Sequence, residues 1–183
     1  MKKILLLLSI IFSSPAQAAT TWNIIADQSK IEFLANQDGT EISGFFKKFS
    51  GEILFDKADL KNSKVAIDID LTSLSSPFGS AVDELPKQNW FYSTKFPQAE
   101  FTSEKFTKIS ENKFRSAGFL EMKGIKIPLT FDFFFEEYSD KKAKANGSFV
   151  LSRSQFGVGS KDEKAADGVK DAVTVKFSIR AVK

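Results

Sequence analysis

The chain has 183 residues, with 26 Lys and Arg against 23 Asp and Glu, and it contains neither cysteine nor histidine. The first absence excludes disulfides, thiolate metal sites and cysteine nucleophiles. The second excludes serine–histidine hydrolysis, histidine-ligated zinc and a proton shuttle titrating near neutrality. Phenylalanine, by contrast, occurs 20 times, so the chain is rich in aromatic surface and poor in reactive groups.

Lys2-Lys3 precede a short apolar run, Ile4 to Phe12, and Ala16-Gln17-Ala18 carries a small-x-small cleavage pattern. The expectation is a signal peptide over 1–18 and one mature domain over 19–183, exported to a bacterial periplasm. The apolar run is far shorter than the roughly 20 residues of a spanning helix. Without Lys2 and Lys3, 24 basic residues (26 − 2) face 23 acidic ones. That near balance predicts no strong pull toward nucleic acid or anionic membranes.

Along the mature chain the dominant period is two. Trp22 to Ile25 and Lys30 to Ala35 read as short strands, with Ile31, Phe33 and Ala35 on one face, followed by a turn at Asn36 to Gly39. Glu41 to Phe55 is a long strand region whose phase changes. Ile42, Gly44 and Phe46 share one parity and Phe49, Gly51, Ile53 and Phe55 the other, which predicts a bulge or bend at Lys47-Lys48. Gly44 and Gly51 inside strands predict curvature or close backbone approach.

Lys64 to Leu71 alternates with Val65, Ile67, Ile69 and Leu71 inward and Asp68 and Asp70 outward. Thr72 to Tyr92 breaks the pattern. Ser75 to Ser80 reads as loop, and Asp83 to Phe91 as a short helix interrupted at Pro86, a segment able to lie across a barrel end as a lid or a plug. Strands resume at Gln98. Lys113 to Met122 and Ile125 to Tyr138 form a hairpin about Lys123-Gly124, with Ile127, Leu129, Phe131, Phe133 and Phe135 on one inner face. Lys144 to Ser152 places Ala145, Gly147, Phe149 and Leu151 on one face, with Arg153 at the same parity. A long loop follows through Phe156-Gly157-Val158-Gly159 and Lys161 to Lys170, and Val173 to Ala181 alternates as a final strand.

The fold class is therefore all-β: an antiparallel barrel or sandwich of about eight strands with one short helix. An eight-stranded barrel either fills with side chains or holds one small ligand. The row of phenylalanines reads first as packed core, the ordinary meaning of an alternating strand, and second as a wall facing an apolar guest.

Asp68 and Asp70 share a face, as paired carboxylates in a glycosidase would, but that face is the solvent side of the strand. Gly157-Val158-Gly159 lacks the strand–turn–helix setting of a phosphate loop. Arg153, pointing inward at a strand end, suits an internal ion pair or a polar head group.

Several blocks, in order and covering the mature chain, resemble the YceI-like family of periplasmic lipid-binding proteins. They include Gly44-Phe-Phe-Lys-Lys-Phe-Ser-Gly51, Leu85-Pro-Lys-Gln-Asn-Trp-Phe91, Phe96-Pro-Gln-Ala-Glu-Phe101, Gly118-Phe-Leu-Glu-Met-Lys-Gly-Ile-Lys-Ile-Pro128 and Ser152-Arg-Ser-Gln-Phe-Gly157. The resemblance implies a lipocalin-like barrel whose apolar tunnel binds an isoprenoid lipid, either a polyprenyl chain or a quinone, with no resident cofactor, metal or enzymatic activity. The Leu85-Pro86…Trp90-Phe91 form resembles the branch associated with cytochrome b561-type proteins, which implies a membrane cytochrome partner. A dimer is compatible with this reading.

The ligand-contacting set expected on that basis is Phe46, Trp90, Phe91, Phe119, Phe131, Phe133, Phe135, Phe149, Arg153 and Phe156. Phe119 is included although its parity conflicts with that of Leu120 and Met122. The alternative is a non-catalytic interaction module with a filled core, accessory to a membrane redox protein.

Overall fold

The structure, a computed structural model, describes residues 21–159 and 168–183. The expected signal peptide and most of the charged loop after Gly159 lie outside the described residues. The described strands are β1 (Thr21–Ile24), β2 (Lys30–Gln37), β3 (Thr40–Phe46), β4 (Phe49–Leu54), β5 (Lys64–Asp70), β6 (Leu74–Ser75), β7 (Gln98–Lys108), β8 (Lys113–Met122), β9 (Ile125–Tyr138), β10 (Lys142–Ser152) and β11 (Ala172–Val182).

All pairings are antiparallel, and β1 pairs with both β4 and β11, which closes the sheet into a barrel. Three wall positions are split strands. β1 lies on the end of β11 and β2 on its start, separated by a 3₁₀ turn at Ala26–Gln28. β3 and β4 part at Lys47-Lys48, where the phase of the phenylalanines reverses. β5 continues into the two-residue β6 through a turn at Leu71–Ser73. Counted this way, eight positions wind up and down around one lumen.

Turn chemistry explains the hairpins. Asp38-Gly39 and Lys123-Gly124 carry positive φ at both positions (51° and 87°, 54° and 75°), the backbone that lets a two-residue loop follow the twist of its strands. Gly44 is required for packing, because a Cβ there would lie 2.4 Å from the Phe33 ring. The close approach expected of that glycine is thus a ring laid over its backbone.

The lid segment differs from its sequence reading. Its helix, α1, spans Gly79–Glu84 rather than Asp83 to Phe91. Pro86 cannot continue a helix, and the residues after it turn tightly, with Phe91 N–H donating to Leu85 O at 2.8 Å and Ser93 N–H to Pro86 O at 3.1 Å. Leu74–Ser75, expected in a broken stretch, pairs with β3.

On the outer face, Asp132 accepts from Arg115 Nε at 2.7 Å and pairs with Lys113 Nζ at 3.2 Å. The Arg115 hydrogen bond, with help from Lys113, holds the Asp132 carboxyl below the usual carboxylate range. Glu136 is lowered likewise, chiefly by Lys144 and Asn146, and Asp171 by Ser152. A depressed folded pKa stabilises the fold above the unfolded value, and that contribution is lost as pH falls through the folded one. Stability to urea is therefore expected to be level above about pH 5 and to decline toward pH 2. Asp132→Asn should flatten that decline; an unchanged slope would remove Asp132 from the account.

Candidate ligand site inside the barrel

Inward residues of the wall positions are almost all apolar, and they leave two chambers in series. The first is a cavity of about 160 Å³ walled by Ile67, Phe101, Phe131, Phe133, Phe177 and Ile179. The second, under the lid, has about 130 Å³ and is walled by Phe33, Phe46, Leu85, Trp90, Phe91 and Arg153. Ile31, Ile69, Leu120, Phe149 and Val175 border both and form a waist. For scale, an engineered cavity of about 150 Å³ lined by Leu, Ile and Phe stays dry and takes up benzene.

The lumen offers a guest almost nothing polar. Ser116 borders the first chamber, but its hydroxyl donates to Ser103 Oγ at 2.9 Å, and Ser103 Oγ donates to Ala117 O at 3.0 Å. Glu32 borders the second and directs its carboxylate to Lys30. Among the described residues, no buried side-chain nitrogen or oxygen lacks a hydrogen-bond partner. Binding here must come from burial of apolar surface.

Aromatic side chains cluster at both ends. At the first chamber's end, Phe55 meets the rings of Phe106, Phe114, Phe133, Phe135 and Tyr138 at centroid distances of 5.3–6.5 Å. Trp22 Nε1–H donates to Phe55 O at 2.9 Å. Lys57 caps the cluster with Nζ 4.4 Å from the Tyr138 ring centroid and donates to Asn112 Oδ1 at 2.8 Å. Burial pushes the Lys57 ammonium pKa down.

At the other end, Trp90 and Phe91 of the lid are 8% and 9% exposed, and Phe91 meets Phe33 and Phe46 at centroid distances of 6.4 and 6.1 Å. Lys123 Nζ donates to Gly157 O at 2.7 Å, tying the β8–β9 turn to this end.

The expected site residues sort as follows. Phe131, Phe133 and Phe135 line the first chamber; Phe46, Trp90, Phe91 and Arg153 line the second; Phe149 lines both. Phe119 does not face the lumen. It is 47% exposed on the outer face, with Lys126 Nζ 5.5 Å from its ring centroid, because the strand keeps the parity of Leu120 and Met122. Phe156, 2% exposed, is packed into the core and lines neither chamber.

Among the described residues Arg153 makes no ion pair; its guanidinium is held by backbone carbonyls. Its Nη1 and Nη2 donate to Val158 O at 2.7 Å and Val169 O at 2.8 Å, and Nε to Lys170 O at 3.2 Å. The guanidinium lies 5.8 Å from the Trp90 ring centroid. It is a staple joining the end of β10, the start of β11 and the lid.

Arg153→Lys cannot reproduce a planar fork on three carbonyls. It is expected to speed hydrogen exchange of the Val158 and Lys170 amides and to cost roughly 1–3 kcal/mol. Unchanged exchange would show that the staple carries no load.

Asp70 accepts from Thr72 N–H at 2.9 Å and caps the Leu71–Ser73 turn, so the paired-carboxylate candidate is accounted for structurally. Wall residues that were read as strand but not as site include Phe33, Phe101 and Phe177. Their alternation with Ile31, Ala99 and Val175 already marks the inner face. Phe55 likewise shares the parity of Ile53, whereas Trp22, near the start of β1, gave no comparable pattern.

A closed antiparallel barrel with an apolar lumen and a lid across one end is a lipocalin-like architecture. Residues 22–181 match the YceI-like domain, and the chain belongs to that family. A UPF0312 protein of Pseudomonas putida (strain GB-1) is 25% identical over 147 residues, 78% of this chain and 74% of its own length. A UPF0312 protein of Vibrio campbellii is 30% identical over 91 residues, 50% of this chain and 48% of its own.

Among solved structures, Burkholderia cenocepacia BcnA superposes with a TM-score of 0.80 at 26% identity, covering 86% of this chain and 99% of that one. A polyisoprenoid binding domain from Saccharophagus degradans, implicated in plant cell wall breakdown, superposes with a TM-score of 0.72 at 12% identity, covering 91% and 99%. At that identity the likeness is one of fold.

Proposed function

We propose that this protein is a periplasmic binding protein that carries an isoprenoid lipid, a polyprenyl chain or the tail of a quinone, inside its barrel, and that it is not an enzyme. The observation that carries the reading is the pair of apolar chambers in which every polar neighbour already has a partner. Such a lumen favours hydrocarbon, at about 0.8 kcal/mol for each methylene withdrawn from water. The family match and the shared fold of a polyisoprenoid binding domain support that chemistry. The signal-peptide pattern at 1–18 supports export, and the Leu85-Pro86…Trp90-Phe91 form supports a membrane cytochrome as the donor or acceptor of the lipid.

Native mass spectrometry of protein isolated from its own periplasm, followed by organic extraction, tests the reading. One bound isoprenoid per chain is the expected result. A bare mass, unchanged after incubation with polyprenols and quinones, would replace it with the non-catalytic interaction module.

A further inference from the structure

The two chambers are separated by five side chains, and Phe149 is the largest of them. Its ring is stacked on that of Phe131, with centroids 5.0 Å apart and planes at 23°. This stack stands where the wall changes character. β10 pairs with β11 along its whole length, to Ser152–Ala172, but among the described residues its pairing with β9 ends at Gly147–Phe133. Beyond that point the Ile125–Asp132 half of β9 and the Ser148–Ser152 half of β10 run side by side without a shared ladder, and Phe131 and Phe149 bridge them on the inner face. Two residues earlier, at Gly147, the Phe177 ring takes the place of a side chain, since a Cβ there would lie 2.4 Å from it. Phe149 therefore projects into the lumen from a strand that is hydrogen-bonded on one edge only.

We propose that Phe149 is the residue that sets the length of chain the barrel takes up. The inference rests on the carrier reading above. With its ring across the waist, each chamber holds a guest about the size of benzene, on the order of one or two isoprene units. A longer chain must cross the waist, and it does so when Phe149 swings off Phe131 toward the unpaired seam between β9 and β10. Ile69, Leu120 and Val175 are smaller and sit on strands paired on both sides at those positions, and Ile31, paired with Phe177 of β11, is smaller as well, so they leave the passage to Phe149.

The chain provides its own reporters: of its two tryptophans, Trp22 lines the first chamber and Trp90 the second. Geraniol and geranylgeraniol, with two and four isoprene units, would be titrated into the wild-type protein, Phe149→Ala and Phe149→Leu by tryptophan fluorescence. Trp22→Phe and Trp90→Phe backgrounds would report each chamber alone.

The expected result is that Phe149→Ala raises the ratio of geranylgeraniol to geraniol affinity at least tenfold, with Phe149→Leu intermediate. In the wild type, geraniol should perturb one tryptophan and geranylgeraniol both. Equal shifts for the two alcohols, or no shift for either, would overturn the length-setting role while leaving the carrier reading intact. Failure of the wild type and of both variants to bind either alcohol would overturn the carrier reading, and the proposal with it. Should Phe149→Ala not fold, Phe149→Leu decides the ratio.

Discussion

Phe55→Ala is expected to lower the stability of the fold by roughly 3–5 kcal/mol, the range for deleting a fully buried phenylalanine side chain. For a domain of this size that is a fall in Tm on the order of 10 °C. Phe55 is 3% exposed and meets five other aromatic rings, in edge-on and tilted arrangements that the ring quadrupole favours. Its carbonyl also accepts from Trp22, so loss of the ring loosens the loop that closes the first chamber.

The matched control is Phe119→Ala. It removes the same side chain from a position 47% exposed on the outer face, and it should change stability by no more than about 0.5 kcal/mol. Urea denaturation of the pair measures both. Equal losses would contradict the assignment of inner and outer faces on β8.

Ala145→Trp is expected to weaken isoprenoid binding about a thousandfold while the barrel still folds. Ala145 borders the first chamber, on β10 opposite Ile179 of β11 and Phe135 of β9. An indole there occupies the space a guest would use. Excluding a single isoprene unit, five carbons at about 0.8 kcal/mol each, forfeits roughly 4 kcal/mol. The overpacking cost to the fold, about 1–3 kcal/mol, is smaller because the chamber is open to receive the ring. Comparing dissociation constants for farnesol with the thermal transition of each protein separates the two effects. A variant as stable as the wild type that bound farnesol unchanged would locate the guest elsewhere.

These two sites also show where sequence and structure part company. Period-two alternation is a local property, and it placed Ile127 to Phe135, Val65 to Ile69 and Val173 to Ala181 on inner faces that the structure confirms. Glycine at Lys123-Gly124 and Asp38-Gly39 marked two hairpins, because only a residue tolerant of positive φ fits there. The reversal of parity at Lys47-Lys48 located the break between β3 and β4.

Other features depended on contacts distant in sequence. Arg153 could be recognised as inward, but the three carbonyls that satisfy it come from residues 158, 169 and 170. Helix α1 ends at Glu84, before Pro86, and Trp90 and Phe91 beyond it dock on the barrel rather than continuing the helix.

Taken by itself, the sequence determined an all-β chain without reactive thiols or imidazoles, the positions of its strands and turns, and a surplus of inward aromatic rings. Whether those rings fill the barrel or leave room was decided only by tertiary packing. Phe55, Phe114, Phe133 and Phe135 gather at one end and Phe33, Phe46, Trp90 and Phe91 at the other, and the volume between them is what eight strands enclose and the side chains at the waist do not fill.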